Sequence, residues 1–95
     1  MYFDAHSDIW CDVTTRRLNG ETNVFDRCHL ERLRKGGVEG SIFVIWVDPP
    51  YDVDYVKRTE QIMAAAKAEI AECQSFRIVH TYDEMMKANA DGKIY

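Results

Sequence analysis

The sequence has few cysteines and no long apolar run, and each shortage argues against a class of protein. Its three cysteines are an odd number without a CxxC spacing, which argues against both a disulfide framework and a zinc ribbon. No apolar run approaches the roughly 20 residues of a membrane span. A secretory signal begins with a basic segment followed by an apolar stretch, and the first residues of this sequence do not have that pattern. We therefore expect reduced thiols, a cytoplasmic location and no membrane contact.

Positive charge is also scarce, with 12 Lys and Arg against 16 Asp and Glu and a net charge of −4. Such a balance predicts no nucleic-acid partner. A chain of 95 residues makes at most one small domain, and such a chain buries only about 60–65 % of its unfolded surface. With 46 % apolar and 29 % charged residues, the composition is typical of a globular domain with a modest core.

Predicted strands and helices alternate along the sequence. Four strands are expected, over 2–8, 38–47, 76–80 and from 93 onward. Helices are expected over 26–35 with Asp26 as the cap, from a cap at Asp52 or Asp54 to about 74, and over 81–90. Residues 9–25 are expected to form a long loop that contains the turn Asn19-Gly20.

This order predicts an α/β fold with parallel strands and right-handed crossovers. The almost wholly apolar run IFVIWV, at 42–47, is typical of a strand covered on both faces. The apolar positions of the long helix, spaced at roughly helical intervals, are expected to lie in the core; they are Val56, Met63, Ala66, Ile70 and Cys73. Both an open doubly wound sheet and part of a (β/α)₈ barrel fit the order. No GxGxxG motif follows the first strand to support the nucleotide-binding version of the open sheet.

The segment YFDAHSD carries the strongest chemical signal. On a strand, Asp4, His6 and Asp8 share one face because alternate residues point the same way. Imidazole and carboxylate groups are both zinc ligands, so His6 and Asp8 can form half of a metal site. The alternative is a strand end whose polar groups only hydrogen-bond to solvent or to the backbone.

Several motifs together resemble the membrane dipeptidase (renal dipeptidase) family, metal-dependent peptidases of the amidohydrolase superfamily. DAHSDI is similar to the family pattern D-G-H-N-D-L at the end of the first strand, with Ser7 in place of the usual asparagine. FDRCHLERLRKGGVEG is similar to its short helix ending in L-R-x-G-x-V-G-x. VKRTEQI and DGKIY resemble its R-R-T-L-E-Q helix and the segment before its next strand.

The resemblance implies that residues 1–95 are the incomplete N-terminal part of one hydrolase barrel domain, with about three βα units and the start of a fourth strand. It also implies that His6 and Asp8 bind one of two zinc ions, that Asp4 is a second-shell partner or a structural residue, and that the substrate is a dipeptide. The remaining ligands of the family come from later strands, so the 95 residues alone are expected to be inactive. The alternative is a non-catalytic α/β module that serves assembly or binding.

Other polar and aromatic residues are expected to be structural. His80 follows a predicted strand and could face the same end of the sheet, but a hydrogen-bonded structural role is the better interpretation. His29 is expected at the surface or boundary. Trp10 is expected to be a packed aromatic residue and Arg16 and Arg17 to be solvated charges, although all three could lie over the barrel mouth. An unclosed sheet leaves bare edges, which predicts self-association.

Overall fold

The computed structural model describes residues 1–95 and contains two paired strands with helices packed against them. The elements in chain order are β1 (Tyr2–Ser7), α1 (Ile9–Leu18), a π-helical turn (Phe25–His29), α2 (Leu30–Lys35), β2 (Val38–Phe43), a 3₁₀ turn (Tyr51–Asp54), α3 (Tyr55–Glu72) and α4 (Tyr82–Ala90). β1 and β2 are parallel, with Phe3 opposite Gly40 and Ser7 opposite Phe43. The mixed α/β class and the parallel pairing agree with the sequence prediction.

The predicted third and fourth strands are reduced to single bridges. Phe76 forms one parallel bridge with Ile94, so the regular strand predicted over 76–80 is wrong. The Tyr95 backbone N–H donates to Glu39 O (3.1 Å), and the Ser41 N–H donates to Tyr95 O (2.8 Å). The segment 94–95 therefore lies between β2 and Phe76, although the chain order alone suggested residues 76–80 as the next strand.

α1 occupies most of the segment that was predicted to be a loop, and that prediction was wrong. Its buried residues Trp10, Val13 and Thr14 are spaced i, i+3, i+4, which is one face of a helix. Three residues with this spacing are too few to predict a helix from the sequence, because the residues around them are mostly polar. The helix ends at the predicted turn, where Gly20 has a φ of 89° that glycine adopts without strain.

The short helix begins without the predicted Asp26 cap. The Glu69 carboxylate of α3 instead accepts hydrogen bonds from the backbone N–H groups of Val24 (3.0 Å) and Phe25 (2.9 Å). Asp26 accepts from the Ser75 hydroxyl. A side chain from a distant element thus caps this turn, which local sequence cannot predict. The predicted end is confirmed, since Gly37 follows α2 with a φ of 73°.

β2 is shorter and more exposed than the apolar run predicted. It ends at Phe43, although the Val44 N–H still donates to Ser7 O (2.9 Å). Ile42, Ile45 and Trp46 are 41–54 % exposed, so the strand and its exit are not covered on both faces. An apolar run indicates that burial of the segment would be favourable, but whether it is buried depends on which other elements pack against it.

α3 confirms the predicted helix and the Asp54 cap, whose side chain accepts from the Lys57 N–H (3.1 Å). The predicted buried stripe is only partly correct: Ala66 and Cys73 are buried, whereas the three other positions are exposed, namely Val56, Met63 and Ile70. The buried face of the helix consists of Arg58, Ile62, Ala65, Ala66 and Glu69. Two of these buried residues, Arg58 and Glu69, are charged and were not part of the predicted apolar stripe.

The core is built around four aromatic rings, those of Trp10, Phe25, Phe43 and Phe76. The Phe25 and Phe76 centroids are 4.6 Å apart, and Trp10 lies 5.7 Å from Phe43 and 6.0 Å from Phe76. Such tilted and edge-on pairs are the favoured aromatic arrangements. The rings join α1, β2 and the bridge at Phe76, which fixes the end of the sheet where β1 and β2 stop.

α4 confirms its predicted start, because the Thr81 hydroxyl accepts from the Glu84 N–H (3.2 Å). The Glu84 carboxylate reaches back to the His80 N–H (2.6 Å), one residue before the position of an ordinary capping box. No helix of the chain combines the length and the apolar character that crossing a membrane requires.

Candidate metal centre at the end of the first strand

The two predicted zinc ligands lie where β1 gives way to α1. His6 is in the strand, whereas Asp8 lies just beyond it and immediately precedes α1. Pairing with β2 is also irregular between Asp4 and Ser7. The expectation that three acid or imidazole groups share one strand face therefore fails for Asp8, because the strand ends first.

Both ligand side chains are available to a metal ion. His6 and Asp8 are exposed. The His6 imidazole and the Asp8 carboxylate make no hydrogen bond or ion pair to another residue. Asp8 does not even cap α1 through its side chain. An imidazole nitrogen and a carboxylate oxygen suit zinc, so this donor set fits half of a site.

The other half is absent from these 95 residues. Nowhere do three or more His, Cys, Asp or Glu side chains gather in a cluster that could hold a metal ion. A catalytic zinc normally takes three protein ligands. His6 and Asp8 therefore need at least one further ligand for a complete centre.

Asp4 contacts the backbone of His6 and not its ring. Its Oδ1 accepts from the His6 N–H at 3.1 Å, which fixes the strand just before the ligands. A second-shell carboxylate would instead accept a ring N–H from the ligating imidazole. The contact that the structure shows is thus a structural one, and a second-shell role of Asp4 stays a prediction.

Cys11 lies beside the candidate centre and is held by two hydrogen bonds. Its Sγ donates to Trp46 O (3.2 Å), and its N–H donates to Asp8 O (3.0 Å). Burial raises the pKa of the Cys11 thiol to about 11, and the charges of Asp48 and Asp8 act in the same direction. The residue therefore serves to tie the start of α1 to the exit of β2.

A buried arginine that the sequence did not single out secures this end of the sheet. Arg58 is 1 % exposed and donates to both carboxylate oxygens of Asp48 (2.9 and 3.1 Å). It also donates to Cys11 O (3.2 Å) and the Thr15 hydroxyl (3.0 Å). Its guanidinium carbon lies 3.8 Å from the centroid of the Tyr51 ring. Arg58 therefore joins α1, the exit of β2 and α3 beneath the candidate ligands.

The ion pair between Arg58 and Asp48 also affects the pKa of Asp48. Burial alone would raise the pKa of Asp48, but the hydrogen bonds and the charge of Arg58, together with hydrogen bonds from the backbone and from Cys11, outweigh burial and hold that pKa below its usual range. The signal for this residue was its position: Arg58, Ile62 and Ala65 recur at helical spacing on one face of α3. A charged residue at a core position needs a buried partner, and Asp48 is that partner.

The remaining polar residues of interest lie away from the ligands. His80 is exposed and lines a polar surface groove with Arg77, Glu84, Lys87 and Asp91. Trp10 is packed in the core, as expected. Arg16 pairs with Asp12 (2.9 Å) at the surface. None of the three joins His6 and Asp8.

Two expectations about charged residues were wrong. Arg17 is not solvated, since it pairs with the buried Glu69 (2.9 Å) and with Glu72 (2.8 Å). His29 is 7 % exposed, with Nε2 2.8 Å from Asp12 Oδ2 and Nδ1 2.9 Å from Arg32 Nη2. Arg32 can only donate, so Nδ1 accepts and Nε2–H donates to Asp12.

The chain is a mixed α/β domain in which the candidate ligands His6 and Asp8 lie at the carboxyl end of a parallel strand. The family described as membrane dipeptidase, peptidase family M19, matches residues 1–95. The chain therefore belongs to the membrane dipeptidase family, as its motifs suggested. No curated protein and no solved structure matched the chain.

Proposed function

We propose that this chain is the N-terminal part of a metal-dependent dipeptidase, a (β/α)₈ barrel in which His6 and Asp8 supply two ligands of a binuclear zinc site. The family match over residues 1–95 carries this proposal. The position of the ligands supports it, because active sites of such barrels lie at the carboxyl ends of the strands. A complete barrel needs about 250 residues, so these 95 provide well under half of one.

The chemistry assigned to the centre is hydrolysis of the peptide bond of a dipeptide. Zinc bound there would lower the pKa of a coordinated water and polarise the scissile carbonyl. The residues of this chain would hold and orient the ligands. Asp4 fixes the His6 backbone, and the network of Arg58 and Cys11 fixes the start of α1 next to Asp8. With two ligands, the isolated chain is expected to be inactive.

A zinc titration followed by two-dimensional ¹H–¹⁵N NMR tests the assignment of the ligands. We expect zinc to shift the resonances of His6 and Asp8 first, and expect His6→Ala to abolish those shifts. His80→Ala is the matched control, because His80 is equally exposed but lies in another groove, and it should leave the titration unchanged. Shifts that survive His6→Ala, or that centre on His80, would reject the proposed site.

A non-catalytic assembly or binding module is the second candidate. The observation that favours it is the lack of a third ligand among the 95 residues. Zinc binding that depends on both His6 and Asp8 would argue for the dipeptidase. No zinc response at any residue would favour the module. We also propose a cytoplasmic location, which the free thiols of Cys11, Cys28 and Cys73 support.

A further inference from the structure

Asp8 occupies the position from which an aspartate usually caps a helix, yet its side chain does not cap α1. The residue immediately precedes Ile9, where the helix begins. A capping aspartate has β-region backbone angles and accepts from the N–H group of the second or third helical residue. The φ of Asp8 is −99° and its ψ is 29°, and its carboxylate makes no such bond. Other groups therefore hold the start of α1.

Hydrogen bonds from β2 and α3 hold the first turns of α1. The Cys11 thiol donates to Trp46 O at the exit of β2 (3.2 Å). Arg58 Nη2 donates to Cys11 O (3.2 Å) and to the hydroxyl of Thr15, one turn further along (3.0 Å). These bonds fix the helix start to two other elements without using the Asp8 carboxylate.

Arg58 is itself held by the segment that follows β2. Its Nε and Nη2 donate to the two carboxylate oxygens of Asp48 (2.9 and 3.1 Å), and such a fork fixes the plane of the guanidinium. The Tyr51 ring lies against the same group, with its centroid 3.8 Å from Cζ. Every residue of this arrangement belongs to residues 11–58. Asp48, Arg58, Cys11 and Thr15 are called the Arg58 network below.

We propose that Arg58 is a positioning residue of the metal centre, which holds the first turn of α1 so that the Asp8 carboxylate binds a metal ion and not the helix. This inference rests on the proposed function, because it takes Asp8 as a ligand. Without Arg58, the N–H groups at the helix start lack an acceptor and the backbone of Asp8 is released. Asp8 then turns to accept from those N–H groups, and its carboxylate is withdrawn from the ion.

A double-mutant cycle without metal tests whether Arg58 keeps Asp8 from capping. Asp8→Ala is made in the wild type and in Arg58→Lys, which keeps the charge opposite Asp48 but not the planar fork of donors. Urea unfolding followed by circular dichroism measures each loss of stability. We expect a small loss in the wild type, where the free carboxylate only interacts with the helix dipole. The loss in Arg58→Lys should be at least about twice as large, because Asp8 caps α1 there.

A milder variant serves if Arg58→Lys does not fold. Thr15→Val removes one of the two bonds from Arg58 to α1 and leaves the ion pair with Asp48 intact. The same cycle with Asp8→Ala is then measured in Thr15→Val, with the larger loss again expected in the variant.

Zinc affinity is the second measurement, followed by the NMR resonances of His6 and Asp8. The apparent zinc dissociation constant should rise at least about tenfold in Arg58→Lys, as when an outer partner of a metal ligand is removed. Glu69→Gln is the matched control, because Glu69 is also a buried charged residue of α3 but bonds to Val24 and Phe25 and not to the start of α1. It should bind zinc within about twofold of the wild type, since distant sites act independently.

Equal losses on Asp8→Ala in the two backgrounds overturn the inference, whether or not zinc binds. Zinc affinity that is unchanged in Arg58→Lys, or that falls equally in Glu69→Gln, also overturns it, because Arg58 then has no specific effect on the ligand. A wild type that shows no zinc response rejects the ligand assignment of the proposed function. In that case the cycle without metal still decides whether Arg58 keeps Asp8 from capping α1.

Discussion

Two nearly inaccessible charged residues on α3, Arg58 and Glu69, explain much of how this chain holds its shape. Arg58 joins α3 to Asp48 and to the start of α1. Glu69, whose side chain is 0 % exposed, accepts from the Val24 and Phe25 backbone and from Arg17. Buried charges are stable only when paired and hydrogen-bonded. Both residues are paired with an opposite charge and hydrogen-bonded, although Nη1 of Arg58 is buried without a hydrogen-bond partner. Removing either side chain would take away hydrogen bonds that its partners make in the folded chain.

Glu69→Gln should lower the free energy of unfolding by about 2–4 kcal/mol, because the neutral amide cannot accept from all the donors and leaves Arg17 with Glu72 as its remaining charged partner. Urea unfolding followed by circular dichroism measures the change. Glu60→Gln, an exposed position on the same helix, is the control and should change little. Equal stability of both variants would show that the Glu69 contacts are not stabilising.

The Glu69 carboxyl also predicts an acid limit of stability. Burial alone would raise its pKa, but hydrogen bonds from Cys73, Phe25, Val24 and Arg17 outweigh burial and hold the pKa of Glu69 below its usual range. Its contribution is therefore complete above the unfolded pKa of about 4.3 and is lost as pH falls through the lower folded value.

His29 predicts a separate loss of stability near neutral pH. Burial lowers the pKa of His29, and together with the charges of Arg32 and Arg16 it outweighs the opposite effect of Asp12. Below pH about 6.5 the unfolded chain binds a proton that the folded chain does not. The free energy of unfolding therefore decreases as the pH is lowered, until the pH reaches the pKa of His29 in the folded chain. The slope is at most about 1.4 kcal/mol per pH unit. The melting temperature of the wild type should fall as the pH is lowered from 7.5 to 5, and that of His29→Gln should change less over the same range.

His80→Gln is the control for this titration, since His80 is exposed and its ring has no protein partner. This variant should keep the wild-type pH dependence. A wild-type melting temperature that does not change over this range would contradict the assignment to His29.

At the residue level, the sequence offered the candidate ligands but not the buried charged residues that join the elements of the fold. His6 and Asp8 belong to a recognisable motif of adjacent residues. Arg58 and Glu69 carry no motif, and charged residues are ordinarily expected at the surface. Their partners Asp48 and Val24 are 10 and 45 positions away. Only the folded chain brings them together.

Among the elements, helices with strong local signals were predicted best. α3 and α4 have side-chain caps at Asp54 and Thr81, and both helices were anticipated nearly to their ends. α1 has no side-chain cap, and only three of its ten residues are buried, so its pattern was weak. The prediction of a strand over 76–80 was wrong because strand pairing depends on neighbours from other parts of the chain, and the local sequence pattern carries no information about them.

The cap of α3 gives a prediction that separates two adjacent acids. Asp54 accepts from the Lys57 N–H, whereas Asp52, the other residue that the sequence offered, lies in the 3₁₀ turn before it and caps nothing. Asp54→Ala should lower the free energy of unfolding by about 1 kcal/mol, and Asp52→Ala should have little effect. Urea unfolding of the two variants makes the comparison, and an equal loss in both would reject Asp54 as the cap.

At the level of the whole molecule, the sheet is open and apolar side chains lie on its surface. β1 pairs only with β2, so its outer edge is unpaired. We expect copies of the chain to associate through this edge, since an unprotected edge strand is a template for pairing. Light scattering after size exclusion should show a mass that rises with concentration. A sharp monomer peak at every concentration would contradict this expectation.

A lysine on the edge strand provides a sharper form of the same test. Ala5→Lys places a charge on β1, which should weaken association because edge charges oppose pairing. Ala71→Lys changes an exposed alanine near the end of α3 and should leave association unchanged. Equal association of the two variants would show that the β1 edge is not the contact.

The central claim is that the chain holds part of a zinc site and not a whole one. The most direct test is the zinc-to-chain ratio of the purified 11.1 kDa protein, measured by elemental analysis with the intact mass verified. The account predicts a ratio below one, which falls further in His6→Ala, because two ligands bind zinc weakly. Two zinc ions per chain at this mass would contradict it, since a complete binuclear centre would then lie within the 95 residues.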